Sequence, residues 1–216
     1  MPSDLVKFNR GELGSFYLNT EPANAYHLNN SITKLLAQAD LVEQYATVFD
    51  VGGNCGLFSA FVAKKRNPTR IICFEPDPLL TPVILKNFVG QHDVATLFPV
   101  GVGSSPGEAT LFVNPVSRQT NSFLRSQVAA FLEGQEMQSV KVDIVTLDDF
   151  CRQYDLMPTV LKVDVQGFEG EVLQGAREVL NGVNQLFIET SWLDLNSNYS
   201  IIPFAKKYGF QFLYVL

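Results

Sequence analysis

Short apolar runs rich in β-branched residues alternate along the chain with segments in which apolar residues recur every three or four positions. The first pattern is typical of buried strands, and the second is typical of helices packed on a sheet. We expect buried strands at Thr47–Val51, Arg70–Phe74, Ala95–Val100, Thr159–Val163 and Gln185–Ile188. We expect helices at Ile32–Tyr45, Leu57–Lys65, Pro78–Phe88, Val172–Leu180 and Ile201–Tyr208. This alternation predicts an α/β fold with right-handed crossovers and a mostly parallel sheet that carries helices on both faces.

Two regions depart from this alternation. In the middle of the chain, Ala109–Val113 and Val140–Val145 have the pattern of antiparallel strands, and a capping box at Thr146-Leu-Asp-Asp149 opens a further helix. Near the end, Phe210–Val215 predicts one last strand. The first thirty residues contain many turn-forming residues. We therefore expect residues 1–30 to be an irregular segment or an active-site cover, and residues 31–216 to form the main domain.

The composition is that of a folded protein whose charge disfavours binding to polyanions. Of the 216 residues, 46% are hydrophobic and 18% are charged, and the formal net charge is −6. A negative charge argues against nucleic-acid and membrane partners, because Lys and Arg bind the phosphates of both. The chain has three scattered cysteines and two histidines, and it contains no long apolar run and no apolar leader. We expect a cytoplasmic protein with free thiols and no metal site, and its oligomeric state is open.

The candidate ligand site lies at the strand ends, because ligands of a parallel sheet bind beyond the carboxyl ends of its strands. The first predicted strand leads into the loop Asp50-Val-Gly52-Gly53-Asn54-Cys-Gly56. Glycines allow a sharp turn and a close approach of the backbone to a ligand. An acid followed by this glycine spacing is the form that holds S-adenosylmethionine, whereas the G-x-G-x-x-G spacing of dinucleotide-binding proteins is absent. The alternative is a tight strand-to-helix turn that binds nothing.

Two further strand ends predict contacts to a nucleoside. Glu75, followed by Pro76, lies about twenty residues beyond the glycine loop, where an acid can accept hydrogen bonds from both ribose hydroxyls. The alternative is an acid that caps the next helix, a role that suits Asp77 better. Gly101 and Val102 follow the third strand. A turn of small residues there can lie against a flat adenine, or it can be an ordinary turn.

The fourth and fifth strand ends carry polar and acidic residues where a methyl acceptor would approach. Asp164 and Gln166 follow the fourth strand, and Glu189 follows the fifth. Asp164 is the candidate for the group that accepts a proton from the acceptor, with metal ligation, substrate anchoring and helix capping as alternatives. Gln166 and Glu189 are candidates for substrate binding. We call the edge of the site formed by Asp164, Gln166 and Glu189 the rim.

Together, these motifs resemble the FkbM family of S-adenosylmethionine-dependent methyltransferases. The stretches that carry the resemblance are Phe49-Asp-Val-Gly-Gly-Asn-Cys-Gly56, Phe74-Glu-Pro-Asp77, Gly101–Gly107, Thr146-Leu-Asp-Asp-Phe150 and Leu161-Lys-Val-Asp-Val-Gln-Gly-Phe-Glu169. The last block, with its Val172-Leu-Gln-Gly-Ala176 tail, is the most specific. The stretch Thr120-Asn-Ser122 resembles a serine-containing element near the family's active site, which makes Ser122 a candidate substrate-binding residue.

The resemblance implies a Rossmann-like class I methyltransferase fold with seven strands, of which the last is antiparallel. It implies O-methylation of a hydroxyl on a small metabolite or sugar, with S-adenosylmethionine as the methyl donor. Carried onto this chain, it implies Asp164 at the reaction rim and a donor site formed by Asp50, Gly52, Gly53, Asn54, Gly56, Glu75, Pro76, Gly101 and Val102.

The chain departs from the family pattern at two points. Gln166 stands where the family usually has Glu, so the rim carries one negative charge fewer. One strand is predicted after the last helix where the fold should end in two, so either the last antiparallel strand is missing or the sheet is completed in a different way. Two alternatives stay open, which are a module that binds the donor without transferring its methyl group and a nicotinamide-dependent oxidoreductase. The absent glycine spacing counts against the second of these.

Overall fold

The protein is described from a computed structural model that covers residues 5–9, 11–19, 25–132, 134–189 and 201–211. Its strands are β1 (Leu5–Asn9), β2 (Ser15–Asn19), β3 (Thr47–Val51), β4 (Arg70–Phe74), β5 (Ala95–Phe98), β6 (Gly101–Val102), β7 (Gly107–Val113), β8 (Gln138–Val145), β9 (Val160–Val163) and β10 (Gln185–Ile188). Its helices are α1 (Ala25–Leu41), α2 (Leu57–Lys65), α3 (Thr81–Asn87), α4 (Arg125–Ala129), α5 (Leu147–Tyr154), α6 (Glu169–Gln174) and α7 (Ile201–Lys207).

The central sheet confirms the expected parallel α/β architecture. Its five strands lie in the order β10-β9-β3-β4-β5, and every neighbouring pair is parallel. The register pairs Val51 with Phe74 on one side and with Val163 on the other, and Val163 with Ile188. Because these four residues end their strands at one edge, the residues that follow them are brought to the same place.

Side-chain alternation along the strands separates two hydrophobic cores, one on each face of the sheet. Val48 and Ile71 face the core formed with α1, α2 and α3. Phe49 and Ile72, one position further along, face the core formed with α5 and α6. Successive strand residues point to opposite faces, so uninterrupted apolar runs in β3 and β4 serve both cores.

The third strand is shorter than the sequence predicts, because the chain leaves the central sheet after Phe98. Pro99 has no backbone N–H to donate, and the N–H of Val100 donates to the carbonyl of Phe98 in a tight turn (2.9 Å). The prediction of a strand up to Val100 is therefore wrong in its last two residues. The chain instead enters a second sheet in the order β6-β8-β7, in which β7 and β8 form the expected antiparallel pair.

The N-terminal region contains regular structure where an irregular segment was expected. Strands β1 and β2 form an antiparallel hairpin, and Gly11 and Gly14 make its turn with positive φ angles of 56° and 84°. Phe16 of the hairpin is fully buried, with its ring 4.8 Å from that of Phe61 in an edge-on contact. Helix α1 then runs across position 30, the predicted domain boundary. Turn-forming residues are present as predicted, but they connect two paired strands, and packing against the rest of the fold holds these strands in place.

The later elements agree with the sequence in part. Thr146 caps α5 as predicted, since its hydroxyl accepts a hydrogen bond from the Asp149 N–H (3.0 Å). The helix predicted up to Leu180 ends at Gln174 and is followed by a short 3-10 turn at Val179–Asn181. Of the predicted strand Phe210–Val215, Phe210 and Gln211 are described and are not in a strand, and residues 212–215 lie outside the described part of the chain. Within the described part of the chain, none of the helices is long and apolar enough to cross a membrane.

Candidate active site

The carboxyl ends of the parallel strands border a cavity of about 390 Å³, a size typical of small-molecule sites. The predicted site residues in its wall are Gly52, Gly53, Asn54, Glu75, Pro76, Gly101, Val102, Ser122, Asp164, Gln166 and Glu189. Two other predicted residues, Asp50 and Gly56, are buried beside the cavity and do not line it. Residues of α1 also line the cavity.

The glycines of the loop after β3 are required by neighbouring protein atoms. Gly52 has φ +78°, and a Cβ atom there would lie 1.9 Å from the carbonyl oxygen of Asp164. A Cβ atom at Gly53 would lie 2.2 Å from the sulfur of Cys73. The sequence interpretation assigned these glycines to ligand approach, and the structure shows that close packing of adjacent strand ends already demands them. The cysteine prediction is confirmed, since all three cysteines are buried and none of them forms a disulfide bond.

Glu75 lies at the tip of β4 and ties that strand to the glycine loop. Its Oε2 accepts a hydrogen bond from the N–H of Asn54 (2.8 Å), and its Oε1 accepts one from the N–H of Asp77 (2.9 Å). The side chain is 7% exposed. Burial raises the pKa of Glu75 to about 7, although both backbone hydrogen bonds oppose the shift. Each carboxylate oxygen keeps a second lone pair that can accept a hydrogen bond from a ligand hydroxyl.

A buried ion pair that the sequence did not reveal braces the wall next to Glu75. Asp77 is 1% exposed and receives hydrogen bonds from Arg118 Nη1 (2.5 Å) and Asn121 Nδ2 (2.8 Å). Its other oxygen accepts from the N–H of Leu79 (2.9 Å), so the predicted capping role is also present. Arg118 lines the cavity, and its carbonyl accepts a hydrogen bond from Asn54 Nδ2 (3.2 Å). The segment between the antiparallel strands thereby contacts the glycine loop.

Asp50 belongs to a charged cluster inside the protein. Its Oδ1 lies 3.1 Å from the ammonium of Lys162, and its Oδ2 accepts a hydrogen bond from Ser59 Oγ (2.7 Å). The Lys162 ammonium also lies 3.3 Å from the carbonyl of Gly52 and 3.6 Å from Asp164 Oδ2. Lys162 therefore connects the glycine loop to the rim, and Asp50 is its countercharge.

Gln166 joins the two carboxylates of the rim. Its Nε2 donates to Asp164 Oδ1 (2.8 Å) and to Glu189 Oε2 (2.9 Å). Gln166 has a left-handed backbone with φ +53°, an uncommon conformation for a residue other than glycine. Lys34 of α1 completes the group through an ion pair with Glu189 Oε1 (2.9 Å). Among the described residues, no three His, Cys, Asp or Glu side chains converge in a way that could hold a metal ion.

The rim carboxylates differ in their electrostatic surroundings. Burial alone would raise the pKa of Asp164, but the charge of Lys162 and hydrogen bonds with Glu189 and Gln166 together lower it. Burial and the neighbouring charge of Asp164 raise the pKa of Glu189, against the opposing effect of Lys34. A proton that enters this pair is therefore held preferentially by Glu189.

Ser122 and Gly101 shape the remaining wall. The hydroxyl of Ser122 donates to the carbonyl of Gln166 (2.8 Å) and accepts from the N–H of Leu124 (3.0 Å), so it holds the rim turn in place. A Cβ atom at Gly101 would lie 2.5 Å from Ile144 and 2.6 Å from Phe123. These neighbours leave no room for a side chain at position 101, and the glycine itself lines the cavity.

Comparison with known proteins adds a family to this geometry. The family model for the methyltransferase FkbM domain matches residues 50–212, which is most of the chain. Methyltransferase 1 from Beauveria bassiana is 30% identical over 147 residues, covering 59% of this chain and 57% of that protein.

Two further relatives carry more specific names. The 2-O-methyltransferase NoeI from Sinorhizobium fredii is 24% identical, covering 79% of this chain and 72% of that protein. The hexuronic acid methyltransferase AglP from Haloferax volcanii is 27% identical, covering 68% of this chain and 56% of that protein.

Among solved structures, the chain is similar to precorrin-6y C5,15-methyltransferase from Geobacter metallireducens, with a TM-score of 0.48 and 11% identity. That alignment covers 83% of this chain and 71% of the solved one. The family match begins at Asp50, includes the glycine loop and Glu75, and continues through the Asp164–Gln166 rim to Glu189. The motifs of the sequence, the parallel sheet that gathers them and the family match agree, and the chain belongs to the FkbM methyltransferase family.

Proposed function

We propose that this chain is an S-adenosylmethionine-dependent O-methyltransferase that acts on a hydroxyl group of a small metabolite or sugar. The observation that carries the proposal is the hydrogen bond between the Asn54 N–H and Glu75, which joins the glycine loop to a buried carboxylate in the cavity wall. This is the arrangement that a nucleoside needs, because the carboxylate accepts from its ribose hydroxyls while the loop backbone passes close to it.

The residues of the cavity fit the donor. S-adenosylmethionine would supply a methyl group bound to a positively charged sulfur. The wall contains three carboxylates, those of Glu75, Asp164 and Glu189. The wall has two cationic side chains: Lys34 is paired with Glu189, and Arg118 is paired with Asp77. The charged side chains of the described wall therefore have a net negative charge, which favours a cationic ligand. The predicted site residues that line the cavity are thus chemically suited to the donor.

A second feature of the wall supports a ligand with hydrogen-bond donors. Gln38 of α1 lines the cavity, and within the described part of the structure its buried Oε1 has no hydrogen-bond partner. Buried polar atoms are nearly always satisfied, so such an atom indicates a missing water or ligand. An N–H or O–H group of a bound molecule would satisfy it.

Catalysis at this site would depend on positioning and proton acceptance. Holding two reacting groups at near-attack distance contributes roughly 7–11 kcal/mol to lowering a barrier. The acceptor side of the cavity is formed by the turn after β9 and the tip of β10, where Asp164, Gln166 and Glu189 meet. These residues would orient a hydroxyl and take up its proton. The names of NoeI and AglP, which describe a 2-O-methyltransferase and a hexuronic acid methyltransferase, support an oxygen of a sugar-like molecule as the acceptor.

The proposal is tested first by donor binding. Isothermal titration calorimetry should show binding of S-adenosylhomocysteine and no binding of NAD⁺ under the same conditions. Glu75→Gln should weaken the binding of S-adenosylhomocysteine by about tenfold, since one charge-assisted acceptor is lost. The exposed variant Glu108→Gln is the matched control and should bind as the wild type does. Binding of NAD⁺ alone would favour the oxidoreductase alternative.

Methyl transfer is tested separately. The full chain is incubated with isotope-labelled S-adenosylmethionine and a panel of hydroxylated metabolites and sugars, and the products are identified by mass spectrometry. A labelled methyl ether is the expected product. Donor binding without transfer to any member of the panel would favour the non-catalytic module.

A further inference from the structure

We propose that Glu189, and not Asp164, takes up the proton of the acceptor's hydroxyl group, while Asp164 remains an ionised neighbour that orients it. This inference rests on the proposed O-methyltransferase function and assigns the proton acceptor within the same site. Its basis is the way in which Gln166, Lys162 and Lys34 contact the two carboxylates.

Both oxygens of Asp164 contact polar groups of the protein, and its side chain is 30% exposed. Oδ1 accepts from Gln166 Nε2 (2.8 Å), and Oδ2 lies 3.6 Å from the Lys162 ammonium. The Lys162 side chain is 5% exposed and is itself held by Asp50 (3.1 Å). A carboxylate next to a buried, immobile ammonium is stabilised as an anion, which makes it a weak base. Asp164 is therefore suited to orient a neighbour and poorly suited to accept a proton.

Glu189 lies in a more open position. Its side chain is 41% exposed, and its only cationic partner among the described residues is Lys34, which is 38% exposed. An exposed ion pair of this kind contributes little free energy, so it can open when a substrate arrives. Lys34 belongs to α1, and both Lys34 and Glu189 line the cavity. When that pair opens, Glu189 Oε1 becomes free to accept a hydrogen bond from a hydroxyl in the cavity.

The surrounding charges favour the same assignment. The described charged groups that act on Glu189 are Lys34 of α1 and Asp164, which follows β9. The Lys162 ammonium lies 3.6 Å from Asp164 Oδ2, so its positive charge acts on Asp164, whereas the negative charge of Asp164 acts on Glu189. Burial and this negative neighbour raise the pKa of Glu189, which makes Glu189 the stronger base of the two.

The chemical step balances with one base. The oxygen of the acceptor forms a bond to the methyl carbon, and the bond from that carbon to sulfur breaks with its electron pair remaining on sulfur. The hydroxyl proton passes to a carboxylate oxygen of Glu189. The products are a methyl ether and S-adenosylhomocysteine, and the exposed Glu189 then returns its proton to solvent.

Gln166 explains how two carboxylates remain adjacent. A Glu at this position would add a third carboxyl group that competes for the proton. A glutamine amide has two N–H bonds, and here its nitrogen donates one hydrogen bond to each carboxylate. Gln166 cannot take up the proton itself, so it stabilises the pair and leaves Glu189 as the acceptor.

The assignment is tested by ¹³C NMR of the full chain labelled at its Asp and Glu carboxyl carbons. Signals are assigned with Asp164→Asn and Glu189→Gln, and Glu108→Gln serves as the control. Glu189 should titrate at a higher pH than Asp164, and its midpoint should fall in Asp164→Asn because the negative neighbour is gone. If Asp164 titrates at the higher pH, or if the midpoint of Glu189 does not move, the proposal is wrong. This readout needs neither donor nor acceptor, so it stays separate from a failure of the proposed function.

A kinetic experiment uses an acceptor found in the metabolite panel. Glu189→Gln should lower kcat by about 10²–10⁴-fold, the usual contribution of a general base, with S-adenosylhomocysteine affinity unchanged. Asp164→Asn should retain an acidic limb in its pH–kcat profile, because Glu189 is still present to titrate. Wild-type kcat in Glu189→Gln would overturn the assignment while leaving the transferase function in place.

Discussion

The backbone N–H of Asn54 donates a hydrogen bond to Glu75 Oε2 across 2.8 Å, and this bond connects the loop after the first central strand to the tip of the second. The two residues are 21 positions apart along the chain. The bond places a buried carboxylate against the loop that lines the cavity. Glu75 therefore serves the fold and the candidate site at once, which makes its protonation state measurable through stability.

The stability contributed by Glu75 should decrease as pH rises. Burial raises its pKa in the folded protein from 4.5 to about 7. Between these values the folded state holds a proton that the unfolded chain has released. The contribution is therefore fully present below about pH 4.5 and is lost as pH rises through about 7. In urea unfolding, the stability advantage of the wild type over Glu75→Gln should shrink between about pH 4.5 and 7. An advantage that grows with pH would contradict the assignment of a raised pKa.

Gly52 should tolerate substitution far less well than another glycine with the same backbone angle. Gly52 and Gly90 have φ +78° and +79°, but a Cβ atom at Gly90 meets nothing within 4 Å. Gly90→Ala should cost about 1 kcal/mol for the left-handed backbone alone. Gly52→Ala should cost about 3 kcal/mol or more, since the Asp164 carbonyl is backbone and cannot rotate away. Chemical denaturation measures both variants, and equal losses would show that this contact is absent.

The buried pair between Arg118 and Asp77 should stabilise the protein far more than an exposed one. In Arg118→Met, Asp77 loses its countercharge while it stays 1% exposed, so we expect a loss of about 2–4 kcal/mol. The control is Lys141→Met, which breaks an exposed pair with Glu108 (3.1 Å) and should cost at most about 0.5 kcal/mol. Thermal unfolding of the two variants tests the difference. Similar shifts in Tm would mean that the buried pair is not formed.

Lys162 and Asp50 should show strong energetic coupling. Lys162→Met leaves a carboxylate with no exposure and without its countercharge, which should cost about 3–5 kcal/mol. Asp50→Asn keeps the shape and the contact with Ser59 but removes the charge. In the double variant, part of the loss should be recovered, so the two effects should not add. Additive losses in a double-mutant cycle would indicate that Lys162 is stabilised mainly by another group.

The candidate site was predictable from the sequence wherever a residue follows a strand. Gly52, Glu75, Asp164 and Glu189 each stand directly after the last residue of a central strand. Parallel strands that end at one edge bring such residues together whatever lies between them. The resemblance to the FkbM family added the donor to this prediction, and the family match supports it.

Residues whose role depends on a distant partner were not predictable in the same way. Arg118 pairs with Asp77 across 41 positions, and Lys34 pairs with Glu189 across 155. Neither spacing is periodic, so nothing local indicates the contact. The N-terminal hairpin was missed for the same reason, because the ring of Phe16 packs against that of Phe61 in the distant helix α2.

The order of apolar runs and turns along this chain determined a parallel α/β sheet and the five strand ends at which a ligand can bind. These features could be predicted locally, because the alternation of strand residues, the glycine loop and the helix cap each depend on residues that are close together in the sequence. The tertiary structure alone decided the role of each polar residue at those ends. It turned Asp50 inward to Lys162, bound Ser122 to the rim turn and joined two rim carboxylates through Gln166. The protonation and orientation of a side chain depend on the charges and donors that surround it in space, and only the folded chain brings those together.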